Sequence, residues 1–282
     1  MNLNFPATLL FIKMQGSGND FVVIDNTRAG IAPDAMPAMA VALCRRAFGI
    51  GADGIFFLEK PKDRTDVDVA WHFFNADGSR AEMCGNASRC ASRLAHLLGL
   101  APQRLRLGTD AGVVEAEVFE AEREARVRLT PPTDLRLGID LDLGGGETYT
   151  AHFVNTGVPH AVIFVDAVQD VDVARIGRAI RFHAAFAPAG TNVNYAQVTG
   201  RETMLLRTYE RGVEGETFAC GTGASAAVRL ARELGLTGDE VSVTTTGGEK
   251  LVIGLADGAI YLRGKAEITF TGELNLASVG LV

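Results

Sequence analysis

The sequence has little of the material that builds metal centres or disulfide frameworks. It contains 5 histidines and 4 cysteines in 282 residues, and the cysteines lack the close pairing of a zinc site. Four cysteines in a chain of this length also do not make a disulfide scaffold, so we expect reduced thiols and a cytoplasmic location. Gly16-Ser17-Gly18 lacks the third glycine of a dinucleotide fingerprint. We therefore expect no metal and no cofactor.

Positive charge is scarce as well. The 27 Lys and Arg residues are outnumbered by 34 Asp and Glu residues, which leaves a net charge of −7. A nucleic-acid partner requires a basic surface, so none is expected. The apolar runs fall short of the ~18 residues that indicate a membrane span. The first residues lack the basic start of a signal peptide.

What the sequence does contain is one pattern that occurs twice. Cys84 and Cys220 are each followed by Gly, and each has a further glycine 15 positions later, at Gly99 and Gly235. The cysteines are 136 positions apart, and so are these later glycines. Small and aliphatic residues follow one stripe of each segment, which predicts two helices with a buried face. The constant offset indicates that one structural unit is duplicated.

The duplication extends to the strands that flank the predicted helices. The turn glycines Gly112 and Gly248 lie between strand-like runs and are again 136 positions apart. Each half also begins alike, because residues 18–25 and 157–166 both lead from a glycine turn into an apolar strand that ends at Asp.

These repeats predict an α+β fold with two pseudo-symmetric halves. The strand-like runs after each predicted helix, separated by turn glycines, are expected to form hairpins in both halves. The double proline at Pro131-Pro132 places the boundary near residue 130. The expected domains are residues 1–130 with the tail 272–282, and residues 131–271.

Cys84 and Cys220 are the candidates for catalysis. A thiol at a helix N-terminus lies beside unpaired backbone N–H groups and the positive end of the helix dipole, which stabilise a thiolate. The same N–H groups bind carboxylates, and a following glycine lets a ligand approach the backbone. One thiol on each side of a carbon is what inversion at that carbon requires. The alternative is core packing, which we expect for Cys44 and Cys90.

Polar residues suited to an amino-acid ligand surround both predicted helix starts. An arginine binds a carboxylate in bidentate fashion, and a glutamate pairs with an ammonium group. The simpler alternatives are turn chemistry for the asparagines, a surface ion pair for the Glu-Arg dipeptide, and a satisfied structural role for the histidine. The candidates are Asn19, Asn75, His160, Asn192, Glu210 and Arg211.

Taken together, the motifs make the sequence similar to the diaminopimelate epimerases, which are cofactor-independent enzymes of lysine and peptidoglycan biosynthesis. The resemblance extends from Phe11 to the C-terminal tail. It is carried by Gly18-Asn19-Asp20-Phe21, Phe74-Asn75-Ala76-Asp77-Gly78-Ser79, Cys84-Gly85-Asn86, Pro159-His160, Tyr209-Glu210-Arg211-Gly212 and Ala219-Cys220-Gly221-Thr222-Gly223.

The resemblance implies a two-base mechanism in which Cys84 and Cys220 interconvert LL- and meso-diaminopimelate as thiolate and thiol. It implies that side chains hold the substrate and that backbone groups at both helix starts hold its reacting carboxylate. Family members are dimers whose chains have two similar halves, so the resemblance implies a homodimer. It also implies that each half is a mixed or antiparallel β structure wrapped around a central helix, with the active site in the cleft between the halves. His160 and Glu210 are expected to be supporting polar groups. The implied substrate-binding residues are Asn19, Asn75, Gly85, Asn86, Asn192, Glu210, Arg211, Gly221 and Thr222.

The sequence departs from the family pattern at Val158, where many members carry Asn, and at Gly54, where many carry Gln. One alternative is therefore a racemase or epimerase of the same fold that acts on another amino acid, such as histidine or proline. The proline-racemase relatives usually show Cys-Gly-His where this chain has Cys84-Gly85-Asn86, and this difference disfavours a proline racemase. Two other classes stay open: a thiol redox or regulatory protein that uses both cysteines as a switch, and a non-catalytic amino-acid-binding module.

Overall fold

The computed structural model describes residues 7–62 and 64–281, which form a mixed α+β fold. The helices are α1 Asn26–Ala29, α2 Met36–Cys44, α3 Gly85–Leu97, α4 Val173–Arg181 and α5 Gly221–Glu233. The strands are β1 Thr8–Gly16, β2 Asn19–Asp25, β3 Gly54–Glu59, β4 Val69–Asn75, β5 Arg104–Thr109, β6 Gly112–Phe119, β7 Glu124–Arg128, β8 Thr133–Asp142, β9 Thr148–Asn155, β10 Pro159–Phe164, β11 Asn192–Gly200, β12 Thr203–Glu210, β13 Gly215–Thr217, β14 Glu240–Thr244, β15 Lys250–Ala256, β16 Ala259–Lys265 and β17 Glu267–Asn275. In this part of the chain, none of the helices has the length and hydropathy needed to cross a membrane.

The chain divides into two units. Unit 1 comprises Met1–Val127 and Lys265–Val282, and unit 2 comprises Arg128–Gly264. These limits differ from the expected ones near residues 130 and 272. The second limit moves toward the N-terminus because β17 pairs with β1 over nearly its whole length, from Glu267 to Asn275.

The strands of unit 1 lie in the order β17-β1-β2-β3-β4-β5-β6-β7. Neighbouring strands are antiparallel except for the parallel pairs β2–β3 and β4–β5. Parallel neighbours require a crossover connection. Helices α1 and α2 lie in the first crossover and α3 lies in the second.

Unit 2 repeats this arrangement. Its strands lie in the order β8-β9-β10-β11-β12-β14-β15-β16, and the short β13 also pairs with β12. The parallel pairs are β10–β11 and β12–β14, with α4 in the first crossover and α5 in the second. The predicted α+β fold of two repeated halves is therefore confirmed.

The two predicted helices, α3 and α5, occupy equivalent places in the two units. Each is 13 residues long. Helix α3 packs against β1, β2, β3, β5 and β6, while α5 packs against β9, β10, β11 and β15, which are equivalent to β1, β2, β3 and β6. Strands surround each helix on several sides, which explains why most residues of both helices are buried.

Both helices end as the glycine spacing predicts. Gly99 and Gly235 have φ of +69° and +73°, the left-handed conformation that glycine adopts readily. The N–H of Leu100 donates to the carbonyl of Ala95 at 2.9 Å. The equivalent bond from Leu236 to the carbonyl of Ala231 is also 2.9 Å. This is the Schellman arrangement, which satisfies carbonyls at a helix C-terminus.

Each unit has an apolar core that fixes its helices on its strands. In unit 1, Met36, Met39 and Leu43 of α2 pack with apolar residues of β1, β2 and β3. In unit 2, Val173, Ile176 and Ile180 of α4 pack with residues of β10, β11 and β12. These cores hold the strands whose ends carry the polar residues of the candidate site.

Candidate active site

Cys84 is the N-cap residue of α3 in unit 1. Its backbone is extended, with φ −144° and ψ 125°, and its side chain does not cap a helical N–H. The first N–H groups of the helix have no intrahelical partner, so they are placed to bind an anion. The half-buried thiol lies 3.7 Å from Asn19 Oδ1 and can donate its proton to that oxygen.

Asn19 links Cys84 to a chain of polar side chains. Its Nδ2 donates to Asp53 Oδ2 at 2.7 Å. Its Oδ1 also accepts a long hydrogen bond, of 3.5 Å, from Asn86 Nδ2. Arg89 Nη1 in turn donates to Asn86 Oδ1 at 2.9 Å. Three of the candidate residues, Asn19, Cys84 and Asn86, therefore lie together at the start of α3.

A charged network supports this chain beside β2. Arg46 Nη2 donates to Asp20 Oδ1 at 2.7 Å and to Asp53 Oδ1 at 2.9 Å. The buried Lys13 contacts Asp20 and the carbonyl of Gly51. Burial alone would raise the pKa of the Asp20 carboxyl, but hydrogen bonds from Arg46 and Lys13 outweigh burial and hold the pKa at about 2. Asp20 therefore stays ionised and anchors the network at neutral pH.

Asn75 lies in the turn that ends β4. Its Nδ2 donates to Ser79 Oγ at 3.0 Å, so the structure gives this exposed side chain the turn contact that the sequence offered as its simpler interpretation. The turn adjoins the charged network, because the N–H of Ala76 donates to the carbonyl of Asp53 at 3.1 Å. At Gly54, a Cβ would lie 2.8 Å from the carbonyl oxygen of Phe74. The backbone here therefore has no room for a side chain at position 54.

Cys220 is the N-cap residue of α5 in unit 2, in the position equivalent to Cys84. Its backbone is extended, with φ −121° and ψ 105°, and its side chain does not cap a helical N–H. The thiol is buried and lies 3.5 Å from Thr222 Oγ1. The Thr156 hydroxyl donates to the carbonyl of Thr222 at 3.0 Å, which fixes the first turn of the helix.

His160 is completely buried in unit 2. Asn194 Nδ2 donates to His160 Nδ1 at 3.1 Å and to the carbonyl of Ala161 at 3.0 Å, while Asn194 Oδ1 accepts from the Thr208 hydroxyl at 2.9 Å. These bonds assign the ring proton to Nε2, which is buried and makes no hydrogen bond within the described residues. Burial, with the charge of Arg211 adding to it, lowers the pKa of His160 to about 3, so the ring is neutral.

The remaining candidates of unit 2 lie around Asn192. This buried side chain donates to the carbonyl of Pro159 at 2.9 Å and accepts the N–H of Arg211 at 2.9 Å. The Arg211 guanidinium donates to the carbonyl of Ala189 at 3.3 Å, and Glu210 Oε2 accepts from Thr217 Oγ1 at 2.9 Å. Asn192 thus orders the segment that carries both charged residues.

The other two cysteines are buried in unit 1, as expected. The exposed fraction is 2% for Cys44 and 0% for Cys90. Burial raises the pKa of the Cys44 thiol to about 12, so this thiol is not a nucleophile at neutral pH. None of the four cysteines forms a disulfide. Within residues 7–62 and 64–281, no group of three or more His, Cys, Asp or Glu side chains is placed to hold a metal ion.

Several polar residues of these arrangements were not among the candidates from the sequence. They are Arg46, Asp53, Arg89, Thr156, Asn194 and Thr208. Arg89 had a signal, because it lies one helical turn after Gly85, on the same face as the predicted helix start. Asp53 and Arg46 had none, since only the fold brings their loop against β2.

Each unit therefore presents one thiol at a helix start, beside backbone N–H groups that suit a carboxylate. The polar partner of the thiol differs between the units: an amide oxygen for Cys84 and a hydroxyl for Cys220. A thiol so placed can exchange a proton with a carbon acid whose carboxylate binds the helix N-terminus.

Comparison with known proteins identifies the relatives of the chain. A family model described as diaminopimelate epimerase matches residues 11–134 and 152–269. The diaminopimelate epimerase of Hydrogenobaculum sp. (strain Y04AAS1) is 43% identical over 276 residues, which cover 95% of this chain and 99% of that protein. That of Aquifex aeolicus (strain VF5) is 43% identical over 280 residues, which cover 94% and 97%.

Solved structures share the fold at low sequence identity. A hydroxyproline epimerase from Agrobacterium vitis, with bound trans-4-hydroxy-L-proline, has a TM-score of 0.70 at 14% identity and covers 96% of this chain and 93% of its own. A Bacillus anthracis phenazine biosynthesis protein of the PhzF family has a TM-score of 0.70 at 15% identity, covering 95% and 99%. At these identities the likeness concerns the fold alone.

Proposed function

Because the chain belongs to the diaminopimelate epimerase family, we propose that it interconverts LL- and meso-diaminopimelate by moving the α-proton between Cys84 and Cys220. The family is one of isomerases that act on amino acids, and the chain is an isomerase of this kind. The substrate and the two-thiol mechanism are the proposal. Its main support is the presence of a cysteine at the N-cap of both equivalent helices.

In the proposed reaction, one cysteine acts as thiolate and the other as thiol. The thiolate removes the α-proton and becomes a thiol, while the opposite thiol donates its proton to the other face of the carbon and becomes a thiolate. The configuration inverts, and the protonation states of the cysteines are exchanged. The negative charge that develops on the substrate carboxylate is stabilised by the N–H groups of Gly85, Asn86, Gly221 and Thr222.

The remaining candidates bind the rest of the substrate in this proposal. Diaminopimelate carries a second amino-acid group at its far end, so its recognition needs both a cation and an anion. Arg211 and Glu210 are adjacent and provide the two charges, and Asn192 orders them through the N–H of Arg211. Asn19 and Asn75 add amide contacts, while His160 supports the site as a neutral group.

Three further parts of the proposal do not come from geometry. A role in lysine and peptidoglycan precursor biosynthesis and a homodimeric state come from the family, and a cytoplasmic location comes from the cysteine content. No cofactor takes part in the proposed reaction. Light scattering of the purified protein tests the homodimer, for which the expected mass is twice the 29.9 kDa of one chain.

Hydrogen exchange at the α-carbon tests the reaction. Reduced protein is incubated with LL-diaminopimelate in D₂O and followed by ¹H NMR, alongside Cys84→Ala and Cys220→Ala. We expect the wild type to incorporate deuterium with inversion and each variant to lose about 10²–10⁴-fold in rate, because a positioned acid or base contributes that much.

Cys90→Ala is the matched control, since Cys90 lies in α3, the helix that follows Cys84, but is completely buried. It is expected to retain exchange if it folds as judged by circular dichroism. Wild-type rates in the two variants would contradict the two-thiol mechanism. A folded, reduced wild type that exchanges another amino acid but not diaminopimelate would contradict the substrate alone.

A further inference from the structure

The amide of Asn19 is held between groups that leave it only one orientation. Asn19 Nδ2 donates to Asp53 at 2.7 Å, and Arg89 donates to Asn86, whose own Nδ2 faces Asn19 Oδ1. We propose that Asp53 and Arg89 are positioning residues that keep the carbonyl oxygen of Asn19 toward Cys84 and thereby favour the protonated thiol at this cysteine.

The orientation follows from which groups donate and which accept. An arginine only donates and an ionised carboxylate only accepts, whereas an asparagine amide has one acceptor oxygen and one donor nitrogen. Arg89 therefore selects Oδ1 of Asn86, which leaves Nδ2 of Asn86 for Asn19. Asp53 selects Nδ2 of Asn19 in the same way. Both ends thus direct Asn19 Oδ1 to the side where the Cys84 thiol lies, 3.7 Å away.

The two ends of the chain are themselves fixed. Asp53 Oδ2 also accepts the N–H of Asp20 at 3.1 Å, and Asp53 Oδ1 accepts from Arg46 at 2.9 Å. Arg89 is completely buried and donates to Ser17 Oγ at 2.9 Å and to the carbonyl of Lys265 at 3.4 Å. The charged side chains that take part or adjoin are Lys13, Asp20, Arg46, Asp53 and Arg89.

A fixed acceptor suits only one form of the cysteine. Asn19 Oδ1 accepts a hydrogen bond from the S–H group but offers nothing to a thiolate, so it stabilises the protonated form. The Thr222 hydroxyl beside Cys220 can either donate or accept, so it suits both forms. The inference rests on the proposed function for its catalytic meaning, in which Cys84 is the member of the pair that starts as the thiol and donates its proton. Its test needs no diaminopimelate.

The test is the pH dependence of thiol alkylation in the full-length reduced protein. Iodoacetamide reacts with the thiolate, so the rate at each cysteine, read by mass spectrometry of its peptide, follows that cysteine's ionisation. In Asp53→Asn, an amide replaces the carboxylate and can present either its oxygen or its NH₂ group to Asn19. Where the NH₂ group faces Asn19, two donors meet, so the Asn19 amide is no longer held in one orientation and can turn its Nδ2 toward the sulfur. We expect the midpoint of the pH dependence of alkylation at Cys84 to fall by roughly 0.5–1 pH unit, which corresponds to the free energy of one neutral hydrogen bond. The midpoint at Cys220 should not change.

Asp66→Asn is the matched control, because it also removes a carboxylate paired with an arginine on unit 1, 2.7 Å from Arg64. Asn19→Ala is the second variant, since it removes the acceptor and leaves the charged network in place. It is expected to lower the Cys84 midpoint as well. The proposal is overturned if the Cys84 midpoint stays in a folded Asp53→Asn or Asn19→Ala protein, or if it falls equally in Asp66→Asn.

Discussion

The buried imidazole of His160 links the stability of the protein to pH. In the folded chain its pKa is lowered to about 3, mainly by burial, from an ordinary value of 6.5. The unfolded chain binds this proton below pH 6.5 and the folded chain does not. The free energy of unfolding therefore falls as the pH drops from 6.5 toward 3, at about 1.4 kcal/mol per pH unit for this one group.

We expect His160→Gln to remove this slope. Urea unfolding of the wild type and the variant at pH 7 and pH 5 gives the free energies to compare, and the variant should lose less stability between the two. His152→Gln is the control, because His152 is only half-buried and its pKa is also lowered by burial. It should keep most of the wild-type slope. Equal slopes in wild type and His160→Gln would show that His160 is protonated in the folded state.

Single residues also show where sequence reasoning stops. Asn19 and Asn192 were candidates because their amides suit an amino-acid ligand, although their glycine-rich turns also offered a simpler explanation. Asp53, which holds Asn19 at 2.7 Å, could not be identified. Its only sequence context is a short loop before an apolar strand, and its partners Asn19 and Arg46 meet it through the parallel pairing of β2 with β3.

The equivalent helices α3 and α5 differ at their third residue, and the difference has a structural cause. Ala87 occupies this position in α3 and Gly223 in α5. A Cβ at Gly223 would lie 2.3 Å from Asn194 Oδ1. Asn194 is completely buried and bonded to His160, Ala161 and Thr208, so it cannot move aside without breaking these bonds.

We therefore expect Gly223→Ala to destabilise the protein by about 1–3 kcal/mol, the penalty for leaving buried polar groups without partners. Helix propensity alone predicts the opposite, a gain of about 1 kcal/mol. The midpoint of urea unfolding of Gly223→Ala, compared with the wild type, distinguishes these two expectations. Ala87→Gly in α3 is the matched control, and propensity predicts that it loses about 0.5–1 kcal/mol. A more stable Gly223→Ala protein would show that Asn194 adjusts freely.

The helices and hairpins were the most predictable elements. Helix ends depend on local chemistry, so the Gly99 and Gly235 spacing located them, and turn glycines such as Gly112 located the hairpins. The helices in the crossover connections were harder to predict from the sequence. Helices α1, α2 and α4 were not predicted. Helix α2 is apolar on all sides and α1 is only 4 residues long, so neither shows the periodic pattern of an amphipathic helix.

The topology of the whole chain was the least accessible level. The tail was expected to return to the first half, but the extent of its pairing depends on contacts between residues at opposite ends of the sequence. Thr8 pairs with Asn275, and Leu276 N–H donates to the carbonyl of Ala7 at 3.1 Å. Strand β17 thus takes beside β1 the place that β8 takes beside β9. In unit 2 the two strands are joined by a hairpin, whereas in unit 1 they come from the two ends of the chain.

This equivalence predicts that the order of the segments can be changed without loss of the fold. A chain that starts at Lys265, runs to Val282, continues directly into Met1 and ends at Gly264 makes β17 and β1 consecutive, as β8 and β9 are. The ends it joins are held close by the pairing of Asn275 with Thr8, so closing the loop adds little entropic penalty. We expect far-UV circular dichroism like that of the wild type and a cooperative thermal transition.

The control is a permutant opened between Val22 and Val23, which are completely buried in β2, and it should not fold. If the chain opened at Lys265 fails to fold as well, the covalent link between β16 and β17 is needed for the fold, and the pairing of β17 with β1 is not sufficient to place it.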